Sequence, residues 1–261
     1  MQEIKDIAEK IFNLNNSVKA ECDGAHELCL FCNKCIKEKP NQLFTKLEEI
    51  NSIIDHTALK SSTTTSDIKI LCDEANEYNF KSICLNPCFI NYAKFNIQNS
   101  LICTVIGFPL GANASEIKYY ETKKAIEAGA QEIDMVINIG LLKENFHQYI
   151  YEEITHIANI CTSKKVVLKV IIETCLLTNE EIIIACLLAK KAGADFVKTS
   201  TGFSSKGAEN DKVELMRSVV GTKMGVKASG GIKTFEDAIS MINSGANRIG
   251  TSNSIQIVTK K

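Results

Sequence analysis

Eight short apolar runs alternate with helix-like segments from Ser52 to near the end of the chain. Many of these segments begin with acidic residues, which favour the first turn of a helix. Three of them end at Gly129, Gly193 and Gly245, and each glycine is followed by alanine. Glycine readily adopts the left-handed conformation that closes a helix. The runs lie at about residues 52–55, 81–86, 101–106, 132–138, 165–172, 195–199, 224–228 and 247–251.

This alternation predicts an α/β fold in which eight parallel strands, each followed by a helix, close into a (β/α)8 TIM barrel. The alternative is a doubly wound open sheet, which needs a glycine-rich nucleotide-binding turn after its first strand. The residues that follow the first run, 55–60, do not form such a turn. We therefore expect the barrel over residues 46–261, and its length and 45% hydrophobic content are sufficient for a full core.

A lead-in of different composition, residues 1–45, comes before the barrel. Residues 1–14 have the spacing of an amphipathic helix, and 41–50 have a second helical pattern. Between these helices lie five residues of the types that bind zinc. These candidate zinc ligands are Cys22, His26, Cys29, Cys32 and Cys35. Free thiols on an irregular segment are an equally consistent interpretation, because two well-separated CxxC pairs are missing.

Composition excludes several classes of partner. The formal net charge is -1, which argues against a nucleic-acid-binding surface. No apolar stretch approaches the roughly 20 residues that cross a bilayer, and charges throughout the first twenty residues argue against a signal peptide. The eleven cysteines, an odd number, are typical of a reducing compartment, so we expect a cytoplasmic protein.

Three lysines recur at one spacing inside apolar runs. Lys169 lies 29 residues before Lys198, and Lys227 lies 29 residues after it. Because strand residues alternate faces, Phe196 and Lys198 should point one way and Val197 the other. A buried lysine loses its proton more easily than an exposed one, which can make it a nucleophile near neutral pH. The alternative is a lysine whose stem reaches out to water.

Polar residues occur where the predicted strands end, which is where a barrel of this type carries its site. Asp55 ends the first run, while Asp134 and Asn138 share the inward parity of the fourth. In the fifth run, Lys169 and Glu173 share one face. A buried carboxylate beside lysines can transfer protons, but it is as often a structural ion pair.

Glycine-containing loops follow the last three runs, at residues 202–207, 229–233 and 250–253. Glycine lets backbone amides approach an anion closely, and neighbouring hydroxyls supply further donors. In barrels of this type the loops after the last two strands commonly bind phosphate. Together with the lysines, these loops predict a small phosphorylated substrate.

The same motifs resemble those of the deoxyribose-phosphate aldolase family. They lie at residues 55–57, 107–111, 132–138, 168–174, 197–203, 226–231 and 248–252. The resemblance runs from about Ile53 to Ser252. It implies a class I aldolase, without cofactor or metal, that cleaves 2-deoxy-D-ribose 5-phosphate to D-glyceraldehyde 3-phosphate and acetaldehyde. One departure is Asn253, which stands where many members have a second serine.

The resemblance also implies roles for individual residues. Lys198 matches the Schiff-base lysine, Asp134 its proton-transfer partner and Lys227 the cation that tunes Lys198, while Lys169 and Asp55 match other active-site positions. The residues that match the phosphate site are Gly202, Gly230, Gly231, Gly250 and Ser252.

Two other functions remain open at the level of sequence. One is a metal-dependent aldolase or phosphosugar isomerase on the same barrel. The other is a non-catalytic protein that binds sugar phosphates, with the cysteine-rich segment as its working part. A homo-oligomer is also expected, and the sequence is consistent with both a dimer and a tetramer.

Overall fold

A computed structural model describes residues 2–12 and 47–259. The predicted zinc ligands Cys22, His26, Cys29, Cys32 and Cys35 lie outside the described residues. The strands are β1 (Ile54–Ala58), β2 (Ser82–Leu85), β3 (Leu101–Ile106), β4 (Glu132–Val136), β5 (Val167–Ile171), β6 (Phe196–Lys198), β7 (Gly225–Ser229) and β8 (Arg248–Thr251). Each lies within or close to one of the eight predicted runs.

Helices follow every strand. They are α1 (Gln2–Phe12), α2 (Thr65–Tyr78), α3 (Ile90–Lys94), α4 (Ser115–Ala128), α5 (Ile139–Lys143), α6 (His147–Ser163), α7 (Asn179–Lys191), α8 (Asn210–Val220), α9 (Phe235–Asn243) and α10 (Ser254–Thr259). Short 3₁₀ helices lie at Leu47–Ile53, Pro87–Phe89 and Thr174–Leu176. The strands pair in parallel from β1 to β8, and β8 pairs with β1. The predicted closed (β/α)8 barrel is confirmed.

Local signals in the sequence explain where many helices begin and end. Three helices begin with a capping box, in which a threonine side chain and an acidic side chain three residues later satisfy each other's backbone N–H groups. The pairs are Thr64 with Asp67, Thr178 with Glu181, and Thr234 with Asp237. The predicted glycine stops after α4, α7 and α9 all have positive φ angles, between 85° and 121°.

Apolar side chains on the outer faces of the strands pack under the helices. Ile133 and Met135 of β4, Val197 of β6 and Val226 of β7 are fully buried there. The barrel interior is different, because its only described hydrophobic cluster is small and lies beside β2 and β3. This cluster consists of Leu59, Cys84, Cys103 and Val105, with Phe108 packed against it. Much of the rest of the interior holds charged groups.

The N-terminal helix α1 packs against α7. Ile7 and Ala8 are buried and belong to the same hydrophobic core as the barrel. The predicted second helix over 41–50 is described only from Leu47, where the chain forms the 3₁₀ helix that leads into β1. The boundary at residue 45 between lead-in and barrel stays a prediction. Among the described helices, none has the length and apolar character of a membrane span.

Candidate active site

A cluster of four cations and three carboxylates fills the interior of the barrel. Its members are Lys169, Lys198, Lys227, Arg248, Asp55, Glu132 and Asp134. All seven are buried, and the most exposed of them, Arg248, has only 6% of its surface accessible. Groups this far from water remain charged only if they pair with one another.

Lys198 lies at the end of β6 and points into this cluster. Its Nζ donates a hydrogen bond to Asp134 Oδ2 at 2.7 Å. Phe196 also faces inward, with its ring centroid 5.4 Å from the Arg248 guanidinium. Val197 is buried in the outer core. The predicted alternation along β6 is therefore confirmed.

Lys227 shares the carboxylate oxygen that Lys198 uses. Its Nζ donates to Asp134 Oδ2 at 2.7 Å and also contacts Asp55 Oδ2. The two lysine nitrogens therefore lie no farther apart than twice 2.7 Å. Burial lowers the pKa of Lys227, but the carboxylates of Asp134 and Asp55 together raise it by more, so the pKa lies above its usual range. Lys227 is a permanent cation beside Lys198.

Lys169 holds the other oxygen of the same carboxylate. Its Nζ lies 2.8 Å from Asp134 Oδ1 and 2.6 Å from Glu132 Oε2. Burial lowers the pKa of Lys169, but Asp134 and its other partners raise it well above its usual range. Burial likewise raises the pKa of Asp134, and the three lysines hold it well below its usual range. Asp134 is therefore ionised.

Arg248 and Glu132 form the floor of the cluster, a feature that the sequence analysis did not assign. Arg248 Nη1 lies 2.7 Å from Asp55 Oδ1, and its Nη2 lies 3.1 Å from Glu132 Oε1. The sequence held one usable signal, since Glu132 has the same strand parity as Asp134. The cross-barrel arginine pairing had no local signal.

The charges of the cluster do not balance. Four cations face three carboxylates, so one positive charge lacks a counter-ion. Lys198 contacts only one carboxylate oxygen of the cluster, and Lys227 already occupies that oxygen. Lys198 is therefore the cation of the cluster with the fewest carboxylate contacts.

Asn138 and Glu173 do not join the lysines as predicted. Both strands end earlier, and Asn138 instead caps α5, where its side chain accepts from the Leu141 N–H. Glu173 accepts from the Thr201 N–H at 3.2 Å and from the Thr201 hydroxyl at 2.5 Å. Its carboxylate thus orders the loop after β6.

An apolar wall stands beside Asp134. The thiol of Cys103 lies 3.2 Å from Asp134 Oδ1, and Cys84 pairs with Cys103 in the register of β2 and β3. At the mouth, Phe108 after β3 contacts Phe203 after β6, with ring centroids 5.3 Å apart. The cluster therefore has an apolar wall on one side, and the two aromatic rings join the segments after β3 and β6.

The candidate phosphate residues lie at the carboxyl ends of β6, β7 and β8, with Gly250 inside β8 and the others on the loops that follow the three strands. A Cβ on Gly230 would lie 3.5 Å from the Gly202 Cα, which shows how closely the first two loops approach. The second and third loops are joined by the Thr251 hydroxyl, which donates to the Ile232 carbonyl at 2.6 Å. Gly250 is in contact with Ser229 and Lys227, and a side chain there would clash with both. Ser252 is exposed on the last loop.

Residues 50–254 match a family model described as DeoC/LacD family aldolase. The chain is 54% identical over 216 residues to a deoxyribose-phosphate aldolase of Clostridium kluyveri, a match that covers 82% of this chain and 99% of the relative. It is also 54% identical over 212 residues to a deoxyribose-phosphate aldolase of Finegoldia magna, covering 80% of this chain and 99% of that one.

A solved structure gives the same relationship in three dimensions. The deoxyribose phosphate aldolase from Aeropyrum pernix, which is tetrameric, superposes with a TM-score of 0.77 at 33% identity. The superposition covers 87% of this chain and 97% of that one. The residues matched by the family model, 50–254, include the whole charged cluster and the three loops.

Proposed function

This chain belongs to the DeoC/LacD family of aldolases, and from that premise we propose that it cleaves 2-deoxy-D-ribose 5-phosphate to D-glyceraldehyde 3-phosphate and acetaldehyde. The reaction is reversible. The observation that carries the proposal is Lys198, a buried amine in a cluster that holds one cation more than its carboxylates neutralise. A buried lysine amine is a group that forms Schiff bases with carbonyl substrates.

Lys198 forms a Schiff base with the open-chain sugar. The neutral amine attacks C1, and the resulting carbinolamine loses water to give a protonated imine. The imine then draws the electrons of the C2–C3 bond as the C3 hydroxyl gives up its proton, because the products contain two and three carbons. D-Glyceraldehyde 3-phosphate leaves, C2 of the enamine is protonated, and water releases acetaldehyde from Lys198.

Asp134 and the other lysines support these proton transfers. Asp134 Oδ2 lies 2.7 Å from Lys198 Nζ, close enough to accept hydrogen bonds from the ammonium, the carbinolamine hydroxyl or a water that carries protons. Lys227 remains charged and keeps the local potential beside Lys198 positive. Lys169 and Asp55 hold these two groups in place through contacts with Asp134 and Lys227.

The loops after β6, β7 and β8 bind the phosphate. Gly202, Gly230, Gly231 and Gly250 offer backbone N–H groups or space, and Ser252 offers a hydroxyl. These loops lie beyond the strand ends that carry Lys198 and Lys227, so a five-carbon chain held at its phosphate would place C1 at the lysine. Binding at this end supplies orientation rather than chemistry.

A metal-dependent aldolase is the rival reaction, and the charges of the site disfavour it. Two groups of described side chains are close enough to share a metal ion, Cys84 with Cys103 and Asp134, and Asp55 with Cys103 and Glu132. Lys169 lies within 3.3 Å of Cys103 and donates to Asp134. A divalent cation there would have to displace a buried ammonium.

The proposal is tested by following both products from 2-deoxy-D-ribose 5-phosphate. Purified protein should release acetaldehyde and D-glyceraldehyde 3-phosphate in equal amounts, and the rate should be the same, within about two-fold, after prolonged treatment with a chelator. Loss of activity on chelation that returns with one added divalent metal would favour the rival reaction. Saturable binding without turnover would favour a non-catalytic sugar-phosphate-binding protein.

We also propose a cytoplasmic homo-oligomer. Every described cysteine is a free thiol, which is typical of a reducing compartment. Phe95, after α3, is 87% exposed and Ile70 on α2 is 56% exposed, and such apolar side chains are suited to an interface between copies. Sedimentation or light scattering at micromolar concentration will distinguish dimer from tetramer.

A further inference from the structure

On the outer face of β1, His56 links a carboxylate near the surface to the start of α10. Its Nε2 lies 2.7 Å from Glu74 Oε2 on α2, and its Nδ1 lies 2.9 Å from the Ser254 hydroxyl. His56 is 4% exposed and Ser254 is fully buried. The two residues are 198 positions apart in the chain, so this contact joins the first strand of the barrel to the segment after the last.

Ser254 follows directly after the loop that carries Gly250 and Ser252. Its hydroxyl also lies 3.2 Å from the Thr251 carbonyl oxygen. The Thr251 hydroxyl in turn accepts from the Asn253 N–H at 2.9 Å and donates to the Ile232 carbonyl at 2.6 Å. Polar contacts therefore run from Glu74 through His56 and Ser254 to both the β7 and the β8 loops, although the single Ser254 hydrogen is donated either to His56 or to the Thr251 carbonyl.

The hydrogens of this set can be assigned from donor and acceptor capacity. An ionised Glu74 can only accept, so His56 Nε2 carries a hydrogen. In the neutral ring Nδ1 is then an acceptor, and the Ser254 hydroxyl donates to it. In the protonated ring Nδ1 donates to the Ser254 oxygen, and the Ser254 hydrogen is free to reach the Thr251 carbonyl.

The bond between His56 and Ser254 therefore exists in both protonation states of the ring. Glu74 is the charged side chain in contact with the ring among the described residues, and Phe80 covers it with centroids 5.1 Å apart. The neighbouring Asp55 and Arg248 point into the barrel, where they pair with each other. Burial lowers the pKa of His56 although Glu74 opposes this, so the neutral ring, to which Ser254 donates, is the form present at neutral pH.

We propose that His56 and Ser254 are positioning residues that fix the loop after β8, and hence the phosphate-binding groups, and that Glu74 holds the histidine tautomer this requires. The inference rests on the proposed function, since it assigns the phosphate end of the substrate to that loop. Neither residue touches the substrate. Their effect reaches the reaction through the position of residues 250–253.

Removing the link should weaken binding of the phosphorylated substrate selectively. Ser254→Ala should raise KM for 2-deoxy-D-ribose 5-phosphate about ten-fold, as expected when one partner of a buried hydrogen bond is lost. Turnover of unphosphorylated 2-deoxy-D-ribose should stay within about two-fold of the parent, because Lys198 and its neighbours are untouched. The ratio of the variant and parent KM values should be the same at pH 6 and pH 8.5.

Two substitutions of the histidine separate positioning from general support of the fold. His56→Asn places an amide near the Nδ1 position and should keep the contact with Ser254, so its KM should stay close to the parent value. His56→Gln extends toward Glu74 and should lose Ser254, so its KM should match that of Ser254→Ala. The double variant His56→Gln/Ser254→Ala should be no worse than either single one, because both remove the same bond.

Ser100→Ala is the matched control. The Ser100 hydroxyl is buried and donates to the Phe80 carbonyl at 2.6 Å, but it lies just before β3, at the opposite end of the barrel. This variant should lower the melting temperature without changing KM. The positioning role is wrong if Ser254→Ala instead reduces turnover of both sugars equally. It is also wrong if the parent protein cleaves the phosphorylated sugar and Ser254→Ala has the same KM as the parent. A parent that does not cleave that sugar would instead refute the proposed function.

Discussion

Replacement of Lys227 by leucine tests how the cluster makes Lys198 reactive. The substitution leaves three cations for three carboxylates, so the excess charge disappears and Lys198 becomes a fully paired ammonium. In the parent, Lys198 and Lys227 share Asp134 Oδ2, each at 2.7 Å; in the variant, only Lys198 contacts this oxygen. Both changes strengthen the ion pair between Lys198 and Asp134, which opposes attack by the Lys198 amine on a carbonyl carbon.

The size of the effect follows from the distance between the two lysines. Two unit charges about 5 Å apart, at an effective dielectric constant of about 20, repel each other by roughly 3 kcal/mol. A ten-fold change in an equilibrium or rate corresponds to about 1.4 kcal/mol, so an interaction of this size is worth roughly 100-fold. At pH 7 the cleavage rate of Lys227→Leu should therefore fall at least about 100-fold.

Initial rates of cleavage between pH 6 and pH 10 provide the assay. Lys227→Leu should recover part of its activity at alkaline pH, whereas Lys227→Arg keeps the positive charge and should keep the parent's pH profile at a reduced rate. Thermal unfolding of each variant shows whether it is folded. A Lys227→Leu profile that is parallel to the parent's at every pH would refute the electrostatic argument.

Two further predictions concern the phosphate loops and the carboxylates. Gly231→Asp puts a negative side chain where the phosphate should lie, so KM for the phosphorylated sugar should rise steeply while turnover of 2-deoxy-D-ribose changes little; equal losses on both would place the phosphate elsewhere. Burial raises the pKa of Asp55 and of Asp134, but their cationic partners hold both pKa values below the ordinary value of about 3.9. As the pH falls below about 4, the unfolded chain therefore takes up protons that the folded protein does not, and the free energy of unfolding decreases. Calorimetric melting between pH 2.5 and pH 6 should show this loss, and Asp134→Asn should make the curve flatter.

Much of the barrel could be predicted because its signals are local. The apolar runs, the acidic helix starts and glycines such as Gly129 depend on only a few neighbouring residues. The equal spacing of Lys169, Lys198 and Lys227 indicated a shared site for a related reason, since repeated strand–helix units bring equivalent positions to the same layer.

What could not be predicted depends on contacts across the barrel. Arg248 reaches Glu132 over 116 positions and Asp55 over 193, and His56 reaches Ser254 over 198. No local pattern encodes such partners. Strand parity placed Asn138 and Glu173 on the face of the lysines, but both lie past the ends of β4 and β5, where their side chains accept hydrogen bonds from Leu141 and Thr201.

Chemical trapping of the imine tests the central claim most directly. Protein incubated with 2-deoxy-D-ribose 5-phosphate and reduced with borohydride should lose activity and carry a stable secondary amine on Lys198. Trypsin does not cut at a modified lysine, so the adduct should appear on a single peptide that spans residues 192–206, and Lys198→Arg should give none. An adduct on Lys169 or Lys227 instead, or no adduct while turnover continues, would contradict the mechanism.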